Sequence, residues 1–92
     1  MTKDQIIDEL KVSVGITTNA QDERLELIVD GIIDEAKEQH GIVLDIENRA
    51  DHALFVLDYA KHRYKTNTNS IPDDIRWRLI HFYIHDGGND DV

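Results

Sequence analysis

The stretch NAQDERLELIVDGIIDEAKEQH, residues 19–40, decides the fold class. Leu25, Ile28, Val29, Ile32, Ile33 and Ala36 recur at three- and four-residue spacing, the period that gathers side chains on one side of an α-helix. Opposite them fall Glu23, Glu26, Asp30 and Asp34, with Glu35 and Glu38 nearby. Such a helix buries one face and keeps the other in water or against a partner. Thr18 and Gln21 have capping-box spacing, Asn19 is an alternative cap, and Gly41 suits the left-handed residue that stops a helix. Gly31 interrupts the helix at a cost of about 1 kcal/mol relative to Ala, marking either a close approach by another backbone or a tolerated weakness.

Working outward, residues 3–12 form a shorter helix with Ile6, Ile7 and Leu10 on one side and Thr2 as N-cap, ended by a turn at Gly15. It is too short to hold without docking. On the other side, residues 42–46 of GIVLDIEN make a short extended connector with no second strand to pair with. A third helix spans roughly 47–65, starting after Asp45 or Asn48. Ala50, Ala53, Leu54, Leu57, Ala60 and Tyr64 form its main apolar stripe, widened by Val56, while Phe55 and Tyr59 fall nearly opposite. Two of its faces therefore demand burial. After the polar loop TNTNS, Pro72 and two acids open a fourth helix over roughly 72–85. Ile75, Leu79, Phe82 and Tyr83 occupy one side of it; Trp77, Ile80 and Ile84 occupy another, with Arg76 isolated between them. The expected fold is all-α: a single compact bundle of about four helices over 1–92, with a short flexible acidic tail at 87–92.

A chain of 92 residues fits one domain and hides only about two-thirds of its unfolded surface, so its core is modest. No cysteine is present, which removes disulfides, thiolate zinc sites and thiol nucleophiles. No uninterrupted apolar segment reads as a signal peptide or membrane span, and a cytosolic origin is expected. Net charge is −9, against general nucleic-acid binding. The charge is also uneven: residues 1–47 carry −8 and residues 49–78 carry +2. Ordinary solvated surface accounts for such numbers, but opposite poles also suit copies meeting head to tail.

Catalytic signatures are lacking, as no Gly-rich phosphate loop, GxSxG elbow or paired-carboxylate motif occurs. His81 and His85 stand four residues apart, a spacing that can place two imidazoles on one metal. Yet the motif is not HExxH, no third ligand has a recognisable spacing, and Arg78 shares their strip. His40, His52 and His62 read as polar-face residues or local hydrogen-bond donors. No enzyme, metal or cofactor is expected; a metal-dependent enzyme would have to hold zinc at His81 and His85.

The order of segments adds a resemblance. ELKVSVGIT, DERLELIVDGIIDEAKEQHGI, ALFVLDYAKHRYKTN and the Pro-initiated IPDDIRWRLIHFY together resemble the small head-tail connector proteins of tailed bacteriophages and prophages, over about residues 4–84. The likeness rests on helix order, the spacing in the second helix, and the landmarks Tyr64 and Pro72. After Tyr64 the sequence reads KTN, where a more Arg-rich or Glu-rich ending is expected of the family, and the tail after Asp86 is brief. The resemblance implies a structural virion protein at the head-tail junction, assembled in the bacterial host cytoplasm. Such proteins form a ring of about twelve copies beneath the portal, join it to the stopper and tail, and let DNA pass without specific binding. The second helix, with its acids, is expected to face the channel. For the interface we expect Phe55, Tyr59, Trp77 and Arg78 of one copy to meet Glu26, Asp30 and Asp34 of the next or of the portal. A second reading is an acidic DNA mimic, its carboxylates replacing phosphates in the groove of a basic host protein.

Overall fold

Helix α1 (Lys3–Val14) starts where Thr2 leaves helical geometry, at φ −76° and ψ 166°. The Thr2 hydroxyl accepts from the Gln5 N–H at 3.2 Å, and the Thr2 N–H donates to Gln5 Oε1 at 2.8 Å, a reciprocal capping box. The helix outruns the expected end at residue 12 because its stop is Gly15, at φ 78°. The Gly15 and Ile16 N–H groups close on the Val12 and Lys11 carbonyls. These coordinates are a computed structural model that describes residues 1–66 and 71–84.

Helix α2 (Asp22–His40) begins three residues later than the sequence predicts, and the Thr18–Gln21 box does not form. Gln21 holds the N-cap position without a side-chain bond. Thr18 accepts from Ala20 instead, and Asn19 Oδ1 accepts from Lys11 Nζ at 2.8 Å. Lys11 also pairs with Asp22 at 2.8 Å, so the turn is fastened by a cation from α1 rather than by its own hydroxyl. The far end follows expectation: Gly41 adopts φ 67°, and the Gly41 and Ile42 N–H groups satisfy the Lys37 and Ala36 carbonyls.

In the extended connector Ile42 and Leu44 are buried while Val43 is exposed, the in-and-out alternation of extended chain. Asp45 then organises the entry to α3 (Ala50–Thr66), which starts three residues after the expected position. Its carboxylate accepts from the Asn48 N–H at 3.2 Å, and its own N–H donates to His52 Nδ1 at 2.9 Å. His52 is therefore a buried acceptor, not a polar-face donor, and its ring meets Phe82 edge-on at 4.7 Å.

Helix α4 (Asp73–Phe82) follows Pro72, which sits at the N-cap. Tyr83 keeps right-handed helical dihedrals. The expected end at residue 85, His85 itself and the acidic tail at 87–92 lie outside the described residues.

The result is an all-α bundle of four helices, with no strand among the described residues. Helix α3 is central and packs against each of the others. That placement answers its demand for burial on two faces. Ile6, Ile7 and Leu10 from α1 and Leu25, Val29, Ile32 and Ala36 from α2 share one core with Ala53, Phe55, Val56, Tyr59 and Ala60. Ile75, Leu79 and Phe82 close it from α4. Leu54, assigned to the main α3 stripe from sequence, is half exposed, because the helix is rotated to bury Phe55 in its place.

Candidate interface on the last helix

Spacing fixes what α4 leaves uncovered. Ile75, Leu79 and Phe82 turn towards α3, where Phe82 meets Phe55 edge-on at 5.4 Å. Trp77 stands two residues from Ile75, roughly 200° further around the helix, and is 69% exposed. Ile80, Tyr83 and Ile84 lie at 40%, 47% and 51%. Four large apolar side chains, two in α4 and two just past its end, thus form a strip with no covering element among the described residues; Tyr83 joins it instead of the buried face of Ile75, Leu79 and Phe82 with which the sequence groups it.

Beside this strip is a groove of about 440 Å³ between the end of α2, the connector and α4. Ile42, Ile71, Leu79, Ile80 and Tyr83 make its apolar walls, and Gln39, His40 and Arg76 are its polar lining. His40 Nε2 is buried there with no hydrogen-bond partner. Among the described residues Arg76 has no carboxylate partner, unlike Arg49, Arg63 and Arg78. Sequence reasoning placed Arg76 between two apolar faces without seeing the groove, because Ile42 and His40 reach it only through the turn at Gly41.

The interface residues expected from sequence separate into groups. Phe55 and Tyr59 are each 1% exposed, so these two belong to the chain's own core and cannot present a surface to another copy. Their face of α3 is covered from within: Phe82 packs on Phe55, and Glu35 of α2 reaches Tyr59. Trp77 is at the surface as expected. Arg78 is tied inside the chain, with Nη1 2.7 Å from Asp58 Oδ2 and its guanidinium 5.7 Å from the Phe55 ring centre. Glu26 and Asp30 share Lys3, at 3.7 and 3.3 Å. These carboxylates raise the Lys3 pKa, chiefly through the hydrogen bond to Asp30. Asp34 is exposed.

Glu35 stands apart from the acidic row. It accepts from the Tyr59 hydroxyl at 3.1 Å and from Arg63 Nη2 at 2.8 Å, and Arg63 lies 4.7 Å from the Tyr59 ring centre. Burial pushes the Tyr59 pKa upward, partly offset by Arg63, while Glu35 pushes the same way as burial. The nearby Gly31 gives room to the Arg63 guanidinium, not to another backbone. This arrangement fastens α2 to α3.

No group of three or more metal-ligating side chains occurs among the described residues. His81 is exposed on α4, and its expected partner His85 lies outside the described residues. Nor is any described helix long and apolar enough to cross a membrane. What fold and surface define is a small all-α module with an apolar strip and an adjoining cationic groove. Compared with known proteins, the chain matches no protein-family model, no curated protein and no solved structure.

Proposed function

We propose that the chain is a structural connector: a module that assembles as a ring beneath a phage portal, extends the DNA channel and joins the filled capsid to the stopper or tail. The observation that carries this reading is the strip of Trp77, Ile80, Tyr83 and Ile84 on α4. Aromatic and aliphatic anchors on a helix surface have the composition of interface centres, where a few such residues supply most of the binding energy. The exposed acids of α1 and α2, including Asp4, Asp8, Glu9 and Glu38, fit a wall that DNA passes without adsorbing. Portal binding is assigned to the α4 strip, and the core residues Phe55 and Tyr59 only support it.

The acidic-mimic reading draws less support. Glu26 and Asp30 share an internal cation, and Glu35 is engaged with Tyr59 and Arg63, so the carboxylate row is broken as a phosphate substitute. Mixing the purified chain with portal complexes and imaging them decides between the readings. A connector adds an annular layer, lost on Trp77→Lys. Absence of a layer, together with tight, salt-sensitive binding to a basic host protein, would overturn the connector assignment in favour of the mimic.

A further inference from the structure

Two features of the surface are left over after folding, one concave and cationic, the other convex and acidic. The concave one is the groove at the end of α2, walled by Ile42, Leu79 and Ile80, with Arg76 and His40 in its lining. The convex one is Leu27 on α2, 67% exposed. One turn back stand Glu23 and Arg24, the Arg24 guanidinium lying 5.2 Å from the Tyr64 ring centre; one turn on stands Asp30, and Glu26 is adjacent. Lys3 is shared between Glu26 and Asp30, and the three carboxylates around Leu27 still outnumber the two cations, Lys3 and Arg24. An apolar knob with carboxylates in excess around it matches an apolar groove that carries a guanidinium.

We propose that the groove of one copy receives Leu27 of a second copy, with Glu23 set against Arg76. The assignment deepens the connector reading and rests on it for the expectation that copies assemble. Other exposed apolar residues fit less well. Val43 directly follows groove-lining Ile42, and Leu54 is one turn from the Asp58 that holds Arg78. Val12 has Asp8 and Glu9 one turn back, but it is shorter than Leu27 and stands in the last turn of α1 beside Lys11. A groove of about 440 Å³ has room for Leu27 and parts of its neighbours on the helix ridge, a volume within the range of binding clefts. Knob and groove are different patches, so the contact is heterologous: each copy uses its groove on one neighbour and its Leu27 on the other, which closes into a ring when the rotation permits.

The chain contains no cysteine, so engineered thiols report the contact without background. Leu27→Cys and Ile80→Cys variants are mixed and oxidised, both free at high concentration and bound to portal complexes. The expected product is the mixed Leu27–Ile80 disulfide dimer, formed several-fold more than with Val12→Cys in place of Leu27→Cys. Arg76→Glu lowers the yield, and Glu23→Lys on the opposing copy restores it. Absence of the mixed dimer in both settings, or an equal yield from Val12→Cys, overturns the contact. A layer on portals without this cross-link removes the contact and leaves the connector reading standing. The cross-link without a layer on portals supports the contact and removes the connector reading.

Discussion

Tyr59, Glu35 and Arg63 show how one buried polar group sets local energetics. Arg63 and Glu35 keep only 13% and 19% of their side-chain surface in water. Removing one member strands the other, and Arg63→Leu is expected to cost about 2–3 kcal/mol in urea unfolding, below a fully buried pair because some water contact survives. Tyr59→Phe is milder, about 1 kcal/mol at neutral pH, since Glu35 keeps Arg63. Its pH dependence is more diagnostic. Tyr59 ionises above its ordinary 10.0 in the folded chain, so the folded state holds its proton after the unfolded state has lost it. Stability from this group is complete below that ordinary value and is lost as pH rises through the folded one. Wild type should therefore lose stability more steeply than Tyr59→Phe above about pH 10, as read by unfolding curves. Gly31 carries the opposite expectation. A Cβ there would meet Arg63 Nη1 at 3.7 Å, an ordinary contact, so Gly31→Ala should stabilise α2 by about 0.5–1 kcal/mol. The sequence marked Gly31 as unusual for its helix, but which group approaches it depends on Arg63, an α3 residue beyond any local pattern.

At the scale of elements, helix existence and inner faces were legible while boundaries were not. The period of Leu25, Val29, Ile32 and Ala36 appears as the buried face of α2, and Gly15 and Gly41 stop α1 and α2 in left-handed geometry. The starts of α2 and α3 were misplaced because capping depends on competition. Thr18 to Gln21 has the spacing of Thr2 to Gln5, but only the latter pair closes; Lys11, arriving from α1, takes Asn19 and Asp22. The start of α3 is likewise set by Asp45 and its link to buried His52. Thr2→Ala should therefore cost about 1 kcal/mol by releasing the α1 cap, whereas Thr18→Ala should stay within about 0.5 kcal/mol, both measurable by thermal or urea unfolding. Equal losses would mean that the second turn is capped after all.

For the whole molecule, the large apolar side chains exposed among the described residues gather at α4, with single ones elsewhere, while Phe55 and Tyr59 of α3 are buried. A helical wheel sees α3 alone and assigns Phe55 and Tyr59 to a foreign partner; a central helix packed by three others needs none. Helix α4 packs at the edge of the bundle, so among the described residues its second stripe has no cover. This difference separates folding from assembly by mutation. Phe55→Ala removes a ring that packs against Tyr59 and Phe82, and should cost about 3–5 kcal/mol, a large part of the stability of a domain this size. Trp77→Lys alters a side chain 69% exposed and should change unfolding free energy by no more than about 0.5 kcal/mol. If the α4 strip is the docking surface, Trp77→Lys keeps the fold, seen as unchanged helical circular dichroism, and loses the annular layer on portals. A conservative core change such as Tyr59→Phe should keep both. A layer that survives Trp77→Lys would move the docking surface off α4, and with it the reason for the exposed aromatic.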